Sequence, residues 1–144
     1  MRALLDVNVL IALFDQAHVF NDRAHQWLEA NSQNGIATCP ITENGLIRIL
    51  SHRNYSRHFI LTPTEVIRRL ANFLKQQDHT FWGDSLSLSD PKHFDTDRIL
   101  GSKQITDIYL LALASKHTAK LVTLDARISL EAATQATIQN LESV

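Results

Sequence analysis

The stretch Met1–Leu13, MRALLDVNVLIAL, decides the fold. Ala3, Leu4 and Leu5 form a short apolar run without alternation, the pattern of a strand covered on both faces. The run stops at a carboxylate, Asp6, and Asn8 follows two residues later. Strands covered on both faces belong to parallel sheets, whose strand ends open on the crevice where ligands bind. Asp6 is therefore placed where chemistry happens. It is equally well placed to cap a helix beginning at Val7, and this stretch alone does not separate the two roles.

Working outward, Val7 to Asp15 is apolar on nearly every side, as in a short helix buried against a sheet. Asn21 or Asp22 is expected to cap a second helix reaching Asn31, with Ala24, Trp27 and Leu28 inward. Ile36–Cys39 reads as a second buried strand. Pro40 opens a helix over Ile41–Arg53, where its missing N–H costs nothing; this helix carries Glu43 in its first turn and Leu46, Ile47, Ile49 and Leu50 on its apolar face. A helix capped by Thr64 follows, with Val66, Ile67, Leu70, Phe73 and Leu74 as its inner stripe. Phe81 and Trp82 mark a weak third strand, and Gly83–Lys103 is mostly loop. Thr106 is expected to cap a helix that begins at Asp107 and is apolar all round through Ala114, hence buried. Leu121–Leu124 is a strand that ends, like the first, on an acid, Asp125. A last helix at Ile128–Ala133 and a strand at Thr137–Asn140 close the chain. Strand and helix alternate, so the fold expected is a three-layer α/β/α domain with parallel strands and right-handed crossovers.

The 144 residues, 44% hydrophobic and 20% charged, are enough for one domain, 1–144, with a single core. The lone cysteine, Cys39, fits a reducing cytoplasm and a buried, inert thiol. No signal for export and no run of membrane-spanning length is present, so neither export nor a membrane role is expected, and the chain is expected in the cytoplasm. A net charge of -1 argues against non-specific nucleic-acid binding by the chain as a whole. The charge is uneven, however: between Leu46 and Gln77 stand Arg48, Arg53, Arg57, Arg68, Arg69 and Lys75 against Glu65 alone, with Tyr55, His52 and His58 interleaved. Such a segment can follow a phosphate backbone while Tyr55 stacks on a base, although charge alone fits a solvated helix face equally well.

Four acids occupy equivalent places. Asp6 and Asp125 end strands, while Glu43 and Asp107 lie in the first turns of helices, and in a parallel sheet all four positions point to one edge. Converging carboxylates repel one another unless a cation compensates. Oxygen ligands without His or Cys suit Mg²⁺ or Mn²⁺, ions that bind phosphates and activate water. Taken one at a time, each acid is also explained as a helix cap or dipole partner.

With LLDVNVLIALFD at the start, CPITENGLIRIL in the middle, and QITDIYLLALA with LVTLD near the end, the chain resembles the PIN-domain ribonucleases and, within them, the VapC-type toxins of bacterial toxin–antitoxin pairs. The resemblance implies a sheet in the order 3-2-1-4-5. It implies that Asp6, Glu43, Asp107 and Asp125 form the catalytic acidic quartet holding one or two Mg²⁺ or Mn²⁺ ions, with Asn8 and Thr123 in support. It also implies an RNA substrate hydrolysed in line to a 5′-phosphate and a 3′-hydroxyl, a homodimer, and a VapB-like antitoxin partner. Tyr55–Gly101 carries no matching motif and is where substrate choice is expected to lie, with Arg48, Arg53, Tyr55 and Arg57 as candidate RNA contacts. Two other readings remain open: a PIN-like module that binds RNA or protein without cutting, and a Mg²⁺-dependent phosphatase. Gly83-Asp84-Ser85-Leu86 spells an esterase nucleophile block, but its partner Asp-x-x-His occurs only upstream, at Asp15–His18, and Gly101-Ser102-Lys103 lacks the spacing of a phosphate-cradling loop.

Overall fold

A computed structural model describes residues 1–144. Its centre is a five-stranded, wholly parallel sheet of strands β1 (Ala3–Leu5), β2 (Ile36–Thr38), β3 (His79–Phe81), β4 (Lys120–Thr123) and β5 (Leu141–Ser143), in the order β3-β2-β1-β4-β5. This is the expected order, with β1 in the middle. Leu4 lies opposite Ala37 on one side and Leu121 on the other, so β1 has no edge and no solvent-facing side.

The helices are α1 (Val7–Phe14), α2 (Asn21–Asn31), α3 (Pro40–Leu50), α4 (Pro63–Lys75) and α5 (Ile105–Lys116). The two faces of the sheet carry separate cores. Leu4, Ala37 and Leu121 pack against α5, which is buried continuously from Ile108 to Ala114. Ala3, Leu5, Ile36 and Val122 pack on the other face with α1, α2, α3 and α4. The alternation of side chains along each strand divides the residues between the layers. Gly35, at φ 74°, turns the chain into β2, and the Arg2 guanidinium lies against it, where a Cβ would be only 2.4 Å from Nη1.

Several expected boundaries shift. Phe20, not Asn21 or Asp22, precedes α2, because the Asn21 amide instead donates to the Ala12 carbonyl. The cap of α4 is Thr62, in a reciprocal box with Glu65, since Pro63 takes the first helical position and Thr64 falls inside the helix. Helix α5 begins at Ile105 after a 3-10 turn, which leaves Thr106 within its first turn rather than at its cap. Helix α3 stops at Leu50, where Ser51 bonds the Ile47 carbonyl, so Arg53 lies beyond it. Ile49 and Ile67, placed inward by the pattern, are exposed. Ile128–Ala133 forms only a 3-10 turn at Leu130–Ala132, its backbone drawn into bonds with the Phe94–Asp95 strip. Residues 138–140 form another such turn because Asn140 is tied to Thr137 and to the Ala119 carbonyl, and the last strand starts afterwards, at Leu141.

Candidate active site

At the carboxyl edge of the sheet, Asp6 follows β1 and is 4% exposed. It performs the capping role, accepting from the Val7 N–H at 2.7 Å, and its other oxygen accepts from the Thr123 hydroxyl at 2.7 Å. Burial pushes its carboxyl above the ordinary value and the two hydrogen bonds oppose this, so Asp6 is a desolvated charge held in place by two donors. The Thr123 oxygen accepts in turn from the Asn8 amide at 3.1 Å and from the Asp125 N–H at 3.2 Å, while Asn8 accepts from the Leu124 N–H at 3.2 Å. The two polar residues named beside the first and last acids thus form one network joining β1, α1 and β4.

Asp107 stands in the first turn of α5, half-buried. Its carboxyl is pushed up to about 6, first by desolvation and then by the negative charges of Asp6 and Asp125. Asp6 and Asp125 are thus near enough for their charges to act on Asp107. Asp6, Asn8 and Asp107 line an open cleft of about 330 Å³ whose other walls include Ile41, Gly45, Arg48 and Thr106. Gly45 is required there: a Cβ at this position would lie 2.7 Å from Val7 Cγ2, so only glycine lets α3 approach α1 so closely.

Asp125 lies on the loop after β4. Arg127 donates to it from Nε and Nη2, both at 2.9 Å, and these bonds hold its carboxyl down to about 2. Glu43 is turned elsewhere. Its carboxylate accepts from the Thr38 hydroxyl at 2.6 Å, and Thr38 Oγ1 also lies 2.7 Å from His79 Nε2. A hydroxyl has one proton, so with Thr38 donating to Glu43 the imidazole donates to Thr38 through Nε2–H. Glu43 is therefore joined to β2 and β3 instead of facing Asp107. As the side chains lie, no three acidic, thiol or imidazole groups are close enough to enclose a metal ion directly. The three aspartates nonetheless fit a hydrated Mg²⁺ or Mn²⁺, which keeps several of its waters and takes few carboxylates directly. They are oxygen donors only, and mutual repulsion disfavours the charged form of one of them.

Of the basic candidates, Arg48 reaches the cleft. Arg53 and Arg57 are exposed on the turns after α3. Tyr55 is half-buried and spends its hydroxyl on Asp15 at 2.6 Å. The sequence offered no signal for Thr38 and His79, which meet through the parallel register of β2 and β3. Arg127, two residues past an assigned acid, could have been noticed by that spacing.

The PIN domain family matches residues 3–132 of the chain. Ribonuclease VapC44 of Mycobacterium tuberculosis is 42% identical over 144 residues, all of both chains, and ribonuclease VapC39 of the same organism is 42% identical over 129 residues, 90% of this chain and 92% of the relative. Among solved structures, VapBC2 from Rickettsia felis bound to a promoter DNA fragment superposes with a TM-score of 0.66 at 18% identity, covering 100% of this chain and 99% of that one. DNA-bound VapBC from Salmonella typhimurium gives 0.60 at 14% identity, covering 99% and 98%.

Proposed function

The chain belongs to the PIN-domain family and, within it, to the VapC-type toxins, and from that membership we propose that it is a metal-dependent endoribonuclease. The observation that carries the proposal is the state of Asp107, driven up to about 6 by burial and by the charges of Asp6 and Asp125. Repulsion of this kind is relieved by taking up a proton or a cation, and clusters of perturbed groups in a cleft mark functional sites.

In this reading Asp6, Asp107 and Asp125 hold Mg²⁺ or Mn²⁺ directly or through water. The ion would supply charge neutralisation at the phosphate and a more acidic water. The chain's own residues supply position. Thr123 and Asn8 fix the Asp6 carboxylate, and the first turn of α5 holds Asp107 over the same cleft. Glu43, once released from Thr38, completes the acidic set or orients the attacking water. Hydrolysis in line leaves a 5′-phosphate and a 3′-hydroxyl, and no acid becomes a nucleophile.

The whole chain, 1–144, acts as one catalytic domain in the cytoplasm, as a homodimer restrained by a VapB-like antitoxin. The VapBC complexes among its structural neighbours and the VapC names of its relatives support the antitoxin partner. One observation favours a second reading, a module that binds RNA or protein without cutting it: Glu43 is engaged by Thr38.

Cleavage of an end-labelled RNA pool by the purified chain, freed of any co-purifying small protein, tests the proposal in the presence of Mn²⁺, Mg²⁺ or EDTA. Small phosphate esters serve as control substrates. The expected result is metal-dependent cutting of RNA alone, abolished by EDTA and by Asp107→Asn in a chain that still folds. Binding of RNA without cutting under any metal would favour the second reading, and hydrolysis of the small esters would make the chain a phosphatase.

A further inference from the structure

Three clefts meet at Arg48. It lines the acidic cleft of Asp6, Asn8 and Asp107, a second cleft of about 350 Å³ with Ile49, His52, Asn54 and Tyr55, and a third of about 310 Å³ with Asn44 and Asp84. Ile49 is common to the first two, and Ile41 and Gly45 to the first and third. The openings are therefore one branched groove along α3, with Arg48 at the junction. Arg48 is exposed, and no ion pair occupies it, in contrast to Arg2, Arg98 and Arg127. It is the one cation among the residues lining the acidic cleft. A guanidinium retained beside repelling carboxylates, yet paired with none of them, is free for an anion brought from outside.

We propose that the arm from the acidic cleft over Arg48 to His52 and Asn54 is the track of a single-stranded RNA, and that Arg48 clamps the phosphate next to the one that is cut. This rests on the ribonuclease reading. Two chemical features select a single strand. Ile49, exposed in the groove, offers apolar surface to an unstacked base, and the Tyr55 ring lies at the far end. The lining of this arm carries Arg48 and His52 and no acid, so a phosphate backbone leaving the cut site can follow it. The third arm ends at Asp84, which repels phosphate and leaves the strand the other way. Arg48 is a substrate-positioning residue, and its planar fork suits a phosphate better than an ammonium does.

The test uses the full chain carrying Asp107→Asn, so that RNA is bound without being cut, and the anisotropy of a labelled RNA of about 12 nucleotides across roughly 50 to 200 mM salt. Adding Arg48→Ala is expected to weaken binding about tenfold and to lower the slope of log affinity against log salt by about 0.7, one single-strand phosphate. Arg48→Lys should keep the slope and lose part of the affinity. Arg68→Ala, which removes an exposed cation of the same basic segment outside the groove, should change affinity by less than about twofold. An Arg48→Ala chain that binds with undiminished affinity and slope, or an Arg68→Ala chain that loses as much, overturns the track. If the chain with Arg48 and Asp107 intact still cuts RNA under Mn²⁺, the ribonuclease reading survives that failure. Absence of any RNA affinity in the Asp107→Asn parent overturns the track, and absence of cutting by the unmutated chain overturns the reading beneath it.

Discussion

The Thr123 hydroxyl donates to Asp6 across 117 residues of chain at 2.7 Å, and the same oxygen accepts from Asn8 and from the Asp125 N–H. One small side chain thus fixes the acids that end β1 and β4 and the polar residue between them. Thr123→Val keeps the shape and removes every one of these bonds, leaving the buried Asp6 oxygen without a donor. The expected cost is about 1–3 kcal/mol, measured as a shift of the urea unfolding midpoint without a change in slope. Thr123→Ser retains the hydroxyl and should recover most of that loss. A Val variant as stable as the parent would mean that the network contributes nothing to the fold.

Asp107 provides a pH dependence of definite sign. Its carboxyl is pushed up to about 6, so between the ordinary carboxylate range and that value the folded chain holds a proton that the unfolded chain has released. Stability therefore falls as pH climbs from about 4 to about 6 and is level above. Asp107 is only half-buried, and solvent screening reduces the effect to about 1–2 kcal/mol. Asp107→Asn should be more stable than the parent by that amount near pH 8 and equal to it near pH 3, where the Asp107 carboxyl is protonated in the folded and the unfolded chain alike. Equal stabilities at both pH values would show that neither burial nor the neighbouring aspartates raise the Asp107 carboxyl.

What the sequence disclosed follows from burial. β1, β4 and α5 are covered on all sides, so their apolar runs are uninterrupted, and the acids after the strands stand out against them. β3 is an edge strand with Phe81 exposed, and it left only a weak trace. The last strand was misplaced because the Asn140 bond to the Ala119 carbonyl, 21 residues away, sets a turn that no local pattern encodes. The cap of α4 was legible in principle, since proline at the first helical position assigns the cap to the residue before it, Thr62. Glu43 was placed in the first turn of α3, but the direction of its side chain depends on Thr38 and His79, which only strand register brings together.

The pair Asp125–Arg127 makes a prediction about metal affinity. Both guanidinium bonds fall on an exposed carboxylate, and they hold it down to about 2. Arg127 therefore occupies the oxygens that an ion bound at the three aspartates would use. Arg127→Ala should let the Asp125 carboxyl rise toward the ordinary range, followed by NMR titration. It should also strengthen Mn²⁺ binding up to about fivefold, the range of a surface ion pair, measured by calorimetry. Restored titration with unchanged Mn²⁺ affinity would remove Asp125 from the ion site.

Gly45 carries the last prediction. A Cβ there would stand 2.7 Å from Val7 Cγ2 and 3.2 Å from Val7 Cγ1, and a β-branched side chain at the start of α1 has no free rotamer to retreat into. Alanine favours the helix by about 1 kcal/mol over glycine, but the overlap forces α1 and α3 apart, for a net loss of about 1–2 kcal/mol. Since Gly45 lines the cleft with Asp6 and Asp107, the same displacement should lower RNA cleavage. Val7→Ala removes the atoms that clash, so Gly45→Ala should cost nothing or stabilise in that background. The coupling is read as the non-additivity of the two changes in a double-mutant cycle of urea midpoints. Simple additivity would mean that α1 and α3 are not held apart by this contact.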